Sequence, residues 1–86
     1  MADLKSLPII LYTRQGCHLC ESAGEVLRKA QERYGFTLTT VDVDSDAALV
    51  KCYGDQVPVV IVDGQVRFHG RVNPVLLERL LKKRAI

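Results

Sequence analysis

The chain has 86 residues, 48% hydrophobic and 26% charged, with few glycines and prolines. This composition fits one folded domain over residues 1–86 and excludes a disordered or low-complexity chain. A net charge of +2 is too small for a surface that tracks phosphates, so no nucleic-acid partner is expected.

The apolar run at 7–12 is short and no small-residue cleavage pattern follows it. Nothing approaches the about 18 apolar residues of a membrane span. The expectation is a cytoplasmic monomer away from membranes. Structural disulfides are rare in that compartment, and an odd count of three cysteines disfavours a stapled scaffold.

Residues 8–13, PIILYT, form a short apolar run rich in branched side chains, which suits a strand buried on both faces. Arg14, Gln15 and Gly16 break it. Leu19, Ala23, Val26, Leu27, Ala30 and Tyr34 then recur at helical steps, with Glu21, Ser22, Glu25, Arg28, Lys29 and Glu32 on the polar side. Gly35 is the stop signal. Residues 36–44 alternate and are rich in β-branched side chains, predicting a second strand. Ser45 or Asp46 can cap a short helix to about Tyr53, followed by a loop at 54–56. Residues 57–62 and 65–68 read as strands joined by an Asp63-Gly64 hairpin turn. Asn73 is a good N-cap and Pro74 a good first helical residue. Val75, Leu76, Leu77, Leu80 and Leu81 then supply an apolar helix face. The basic cluster Lys82-Lys83-Arg84 reads as a solvated last turn that complements the helix dipole.

The order is βαβαββα. A helical crossover makes the first two strands parallel, and the tight turn makes the last two antiparallel. The fold class that follows is α/β, a four-stranded mixed sheet flanked by helices.

The sequence RQGCHLC places Cys17 where the first strand has ended and the first helix begins. Cys17 and Cys20 at this spacing suit a redox couple, half of a metal site, or two structural thiols. A helix N-terminus favours the thiolate through unpaired N–H groups and the positive dipole end. Arg14 adds a cation at the same place. Cys20 lies one turn further in on the same face, where it can resolve a mixed disulfide formed at Cys17. A zinc site usually needs four ligands, and Cys52, His18 and His69 are scattered without that spacing, so no metal is expected. His18 is read either as a titratable cation tuning the thiolate or as an exposed residue of little effect. Cys52 reads as a buried, unreactive thiol. Asp42, Asp44 and Asp46 read as strand-end and capping residues rather than a cation site. His69 and Arg71 are either substrate contacts or ordinary loop residues.

A proline at the start of an apolar strand, as in Gln56-Val57-Pro58, removes a ladder donor. A trans proline that merely begins a strand is the simpler reading of this segment alone. A cis bond would leave the preceding backbone free to pair with a peptide-like substrate. In company with the cysteine pair and this element order, cis is the expectation.

The run Tyr12-Thr13-Arg14-Gln15-Gly16-Cys17-His18-Leu19-Cys20, Val57-Pro58, and a glycine-containing turn before the last helix resemble the glutaredoxin family of the thioredoxin fold. The likeness spans nearly the whole chain. It implies thiol–disulfide oxidoreductase activity in cell redox homeostasis, with Cys17 as nucleophile and Cys20 as resolving thiol. Arg14 matches the cation that the family carries three residues before its first cysteine, and Val57-Pro58 matches a cis Val-Pro facing the cysteines. Arg14 and His18 would tune the thiol. Arg14, Gln56, Val57, Pro58, Gly70 and Arg71 would line the groove for substrate or glutathione. The implied partners are a disulfide-bearing protein or glutathione mixed disulfide, and an external reductant. Glutathione is one candidate reductant, and no bound cofactor is expected. The chain departs from the family with His18-Leu19 in place of proline and an aromatic, Asn73 in place of an acid, and Gln56 where threonine is common. The alternatives are a redox-inactive binding module, or an iron–sulfur or metal carrier using Cys17.

Overall fold

The computed structural model describes residues 4–85. Strand β1 (Pro8–Thr13) leads into helix α1 (His18–Tyr34), then β2 (Thr37–Asp42), a 3-10 turn at Val43–Ser45 and helix α2 (Ala47–Tyr53). Strands β3 (Val59–Val62) and β4 (Gln65–His69) form the hairpin, and α3 (Pro74–Ala85) follows. The sheet order is β2-β1-β3-β4, with β1 parallel to β2 and antiparallel to β3, and β4 antiparallel to β3. This is the predicted α/β architecture. The hairpin bends at Asp63 and Gly64, whose φ values of 50° and 82° are the left-handed conformations that a two-residue primed turn demands.

The core lies on one face of the sheet. Ile9, Leu11, Val60 and Val62 pack there with Ala23, Leu27 and Ala30 of α1 and Leu77 and Leu81 of α3, and Phe36 is sealed in beside them. Each fully buried Leu or Phe contributes roughly 1.5–3 kcal/mol. Helix α1 ends at Gly35, whose N–H donates to the Gln31 carbonyl at 2.7 Å. The two helices also meet through polar groups: the Tyr34 hydroxyl donates to Glu78 at 2.7 Å, and Arg33 pairs with Glu78 at 2.9 Å.

The structure departs from the sequence expectations in four places. Strand β2 stops at Asp42 rather than at residue 44. The Asp42 carboxylate accepts from the Asp44 N–H at 2.9 Å, and Ser45 Oγ donates to the Asp42 carbonyl at 2.7 Å, which turns the chain and seats Val43 in the interior. Strand β3 begins at Val59 rather than 57. The carbonyls of Gln56 and Pro58 instead both accept from the Gly70 N–H, at 3.2 and 2.9 Å. In α3 only Leu77 and Leu81 are buried and Leu80 partly so, while Val75 is 61% and Leu76 50% exposed. At about 100° per residue, a helix anchored through 77 and 81 turns 75 and 76 outward. Finally, Cys52 is exposed rather than buried. Helix α2 leans inward with half-buried Leu49, Val50 and Tyr53, which leaves position 52 on the solvent side.

Candidate active site

The chain leaves β1 through Arg14 and Gln15, and Gly16 takes a φ of 79° that an L side chain rarely adopts. This turn delivers Cys17 to the N-cap of α1 in an extended conformation (φ −92°, ψ 103°). Its Sγ accepts from the Cys20 backbone N–H at 3.1 Å. Sulfur therefore occupies the place of a capping oxygen and faces the positive end of the helix. Cys17 and Cys20 are joined as a disulfide, with Cα atoms 5.2 Å apart. The two sulfurs sit in different surroundings. Cys20 is 5% exposed and belongs to the buried stripe of α1, whereas Cys17 lies at the surface boundary.

Arg14 reaches across to the segment after β2. Its Nε and Nη2 bind the two oxygens of Asp44 at 3.2 and 3.1 Å, and Nη1 donates to the Gly54 carbonyl at 3.3 Å. The hydrogen bond and charge of Asp44 hold the guanidinium pKa above its usual value. Gly54 has no room for a side chain: a Cβ there would lie 2.6 Å from the Val50 carbonyl and 3.3 Å from the Arg14 guanidinium. Beside this clamp, Tyr12 of β1 stacks on Tyr53 of α2 at 4.9 Å between ring centres. Asp44, Gly54 and the tyrosine pair were not singled out for the site from the sequence. The only signal for Asp44 was its charge, 30 residues from its partner.

His18 projects into solvent with a side chain 96% exposed, and its Nδ1 lies 3.9 Å from Glu21. The Val57-Pro58 bond is cis, and Pro58 is buried. Because Tyr12 pairs with Val59 and Val59 with His69, the end of β1, the start of β3 and the end of β4 share one edge of the fold. Gln56, Val57, Pro58 and Gly70 gather there, linked by the two hydrogen bonds to the Gly70 N–H. Arg71 is exposed next to them.

A concavity of ≈ 490 Å³ borders the disulfide, lined by Cys17, Cys20 and Arg14 with Thr13, Gly24 and Thr40. It opens between α1 and the β1–β2 side. Arg71 lines a different concavity, with His69 and Asn73, so those two basic residues and the cysteines do not share one hollow. Asn73 is engaged as the cap of α3, accepting from the N–H groups of Val75 and Leu76 at 2.9 and 3.3 Å. Among the described residues, no three His, Cys, Asp or Glu side chains converge as metal ligands, and no helix is long and apolar enough to cross a membrane. Asp42 and Asp46 spend their carboxylates on the N–H groups of Asp44 and Ala48.

Comparison with known proteins agrees with this geometry. The solved structure of a protein from X. campestris is similar, with 38% identity and a TM-score of 0.69, covering 87% of this chain and 96% of that one. A thioredoxin from Halobacterium salinarum, at 21% identity, shares the fold with a TM-score of 0.72 over 93% of this chain and 75% of its own. A glutaredoxin-like protein of Dictyostelium discoideum is 34% identical over 79 residues, 83% of this chain and 71% of that protein. The profile of the Glutaredoxin-like domain (DUF836) matches residues 8–82. A thioredoxin-type fold with a paired Cys17 and Cys20 supports a redox role, and the chain belongs to the glutaredoxin-like domain family.

Proposed function

We propose that this protein is a thiol–disulfide oxidoreductase in which Cys17 attacks and Cys20 resolves. The reading rests on one asymmetry: the sulfur at the α1 N-cap is reachable and faces an N–H donor, while its partner is buried. In the reduced protein, that N–H and the helix dipole favour the Cys17 thiolate. The thiolate attacks one sulfur of a substrate disulfide, forming a mixed disulfide and expelling the other sulfur as a thiolate that takes up a proton. Cys20, once deprotonated, attacks Cys17 Sγ and releases the second substrate thiol. Two electrons have then passed to the substrate, and the Cys17–Cys20 disulfide remains. An external thiol donor, glutathione or a dithiol protein, reverses these steps to reset the pair. A peptide-like substrate would lie along the edge formed by Gln56, Val57, Pro58 and Gly70, with Arg71 in the neighbouring concavity and Arg14 and His18 flanking Cys17 in the chain. The substrate is a protein disulfide or a glutathione mixed disulfide.

The test has two parts. Reduced Cys20→Ser, Cys52→Ser protein is titrated with iodoacetamide across pH 5–9, and Cys17 should react at neutral pH faster than an unfolded control peptide. Oxidised protein is then offered an excess of a small disulfide substrate together with NADPH and either glutathione plus glutathione reductase or thioredoxin reductase, and one system should consume NADPH catalytically, faster than without the protein. Slow alkylation together with failure of both donors rejects the enzyme in favour of a binding module.

A further inference from the structure

Away from the cysteines, β4 and α3 enclose a groove of ≈ 590 Å³. Its floor is apolar, formed by Phe68, Leu80 and the half-exposed Leu76. Its walls are cationic: Arg67 comes from β4, and Arg79, Lys82 and Lys83 from α3. No carboxylate lines it, and among the described residues Arg79, Lys82 and Lys83 make no ion pair. The nearest acid at the hairpin, Asp63, is already bound by Arg84 at 3.3 Å. Complementing the helix dipole accounts for cations in the last turn of α3. It does not account for Arg67 and Arg79, nor for a leucine left half exposed among them.

The spacing narrows the occupant. Leu76, Arg79, Leu80 and Lys83 fall on one stripe of α3, so apolar and cationic groups alternate along a single ridge. Leucines one turn apart, with carboxylates beside them, reproduce that pattern on a facing helix. Strand addition to β4 fits less well. The register shift opposite Val60 and Ile61 bends that edge, and Arg67 sits on it, as in edges protected from pairing. A lipid surface fits less well, because Phe68 and Leu80 are partly buried and only Leu76 is half exposed, which leaves little apolar surface to insert. The groove continues along β4 into the concavity at Asn73 through Arg67, Phe68 and Leu76. Its length thus matches α3, about 18 Å or three helical turns.

We propose that this groove docks an acidic amphipathic helix of a partner protein. Its apolar side chains seat on Leu76, Leu80 and Phe68, and its carboxylates face Arg67, Arg79, Lys82 and Lys83. The part of the groove between Arg67 and Lys83 shares no residue with the concavity at the disulfide, so docking there needs neither cysteine.

The probe is a fluorescein-labelled helical peptide of about 14 residues with leucines at i, i+4 and i+7 and flanking glutamates. A matched peptide carries lysines in place of the glutamates. Anisotropy titrations with the full chain should show saturable binding of the acidic peptide only, weakening as salt rises from about 20 to about 300 mM. Leu76→Asp, and separately the pair Arg79→Glu with Lys83→Glu, should each weaken binding about tenfold or more. These side chains are on the surface, and circular dichroism checks that the variants fold. Cys17→Ser should bind like the parent. Equal binding of the lysine peptide, or affinity unchanged by the variants, overturns the proposal. So does sedimentation showing a dimer that Leu76→Asp dissociates, which assigns the groove to a second copy. Tighter binding to phosphatidylglycerol vesicles than to the peptide, lost in the same variants, assigns it to a lipid surface.

Discussion

Helix α1 opens on Cys17, whose Sγ accepts one backbone N–H, from Cys20 at 3.1 Å. Helix α3 opens on Asn73, whose Oδ1 accepts two, from Val75 and Leu76 at 2.9 and 3.3 Å. Sulfur is a weak acceptor, and cysteine is not among the preferred N-caps. The first helix tolerates the poorer cap because it is anchored elsewhere: Cys20, Ala23, Gly24, Leu27 and Ala30 are all buried. The third buries only Leu77 and Leu81, so the cap carries a larger share of its stability. One N-terminus is capped by a single bond to sulfur and the other is closed by two hydrogen bonds to an amide oxygen.

Exchanging the roles of the two caps gives the largest effects. Cys17→Ser supplies a stronger acceptor at the α1 N-cap and removes the proposed nucleophile. Turnover with either reductant system should vanish. Relative to the reduced parent, denaturant titration should show stability unchanged or raised by about 0.5 kcal/mol. Loss of stability in this variant would mean that the sulfur is a structural cap. Asn73→Ala should do the opposite, costing about 1 kcal/mol while leaving Cys17 alkylation unaltered. For a domain of this size that cost lowers Tm by roughly 4–8 °C.

The same contrast marks what the sequence can reveal. Asn73-Pro74 and Asp46 are local signals, since a capping side chain bonds a backbone two or three residues away, and both helices begin where those residues indicate. The cysteine pair at a strand-to-helix junction is local in the same sense. Strand ends were less legible. Val41 and Val43 carry the β-branched pattern past Asp42, but Asp42 ends the strand through its bond to Asp44. The exposure of Val75 and Leu76 was hidden because an apolar tally does not fix which residues of a leucine-rich helix face the sheet. The Arg14–Asp44 contact spans 30 residues and exists only once β1 and the turn after β2 are side by side. No periodicity encodes it.

That contact gives a subtler handle on the N-terminus of α1. Arg14 brings a cation to the turn before Cys17, but Asp44 neutralises it with both carboxylate oxygens. Asp44→Asn keeps a hydrogen-bond acceptor and removes the charge. The Cys17 thiolate should then be more populated in mildly acidic solution, and alkylation of Cys17 in reduced Cys20→Ser, Cys52→Ser protein at pH 6 should rise roughly threefold. High salt should erase the difference. Stability should change little, because both partners are more than a third exposed and solvent screens the pair. An unchanged alkylation rate would assign Arg14 to joining β1 with the turn before α2 and to no part in thiol activation.

The smallest effect is expected where the two helices meet. Tyr34 of α1 donates to Glu78 of α3, and that hydrogen bond raises the tyrosine pKa, with desolvation and the Glu78 charge adding to it. A raised folded-state pKa means that the folded protein holds this proton after the unfolded chain has lost it. The stabilisation is therefore complete below about pH 10, the ordinary tyrosine value, and fades as pH climbs through the higher folded value. Tyr34→Phe removes the titrating group. Its Tm should lie slightly below the parent's at neutral pH, and the gap should narrow in alkaline solution as the parent loses the bond. Equal Tm values for parent and variant from neutral pH to pH 11 would locate the contribution of Tyr34 in its ring, which packs on the core and carries Arg33 5.6 Å above it. The hydroxyl would then add nothing to joining the C-terminal end of α1 to α3, and Arg33 would carry the polar link to Glu78 across the two helices.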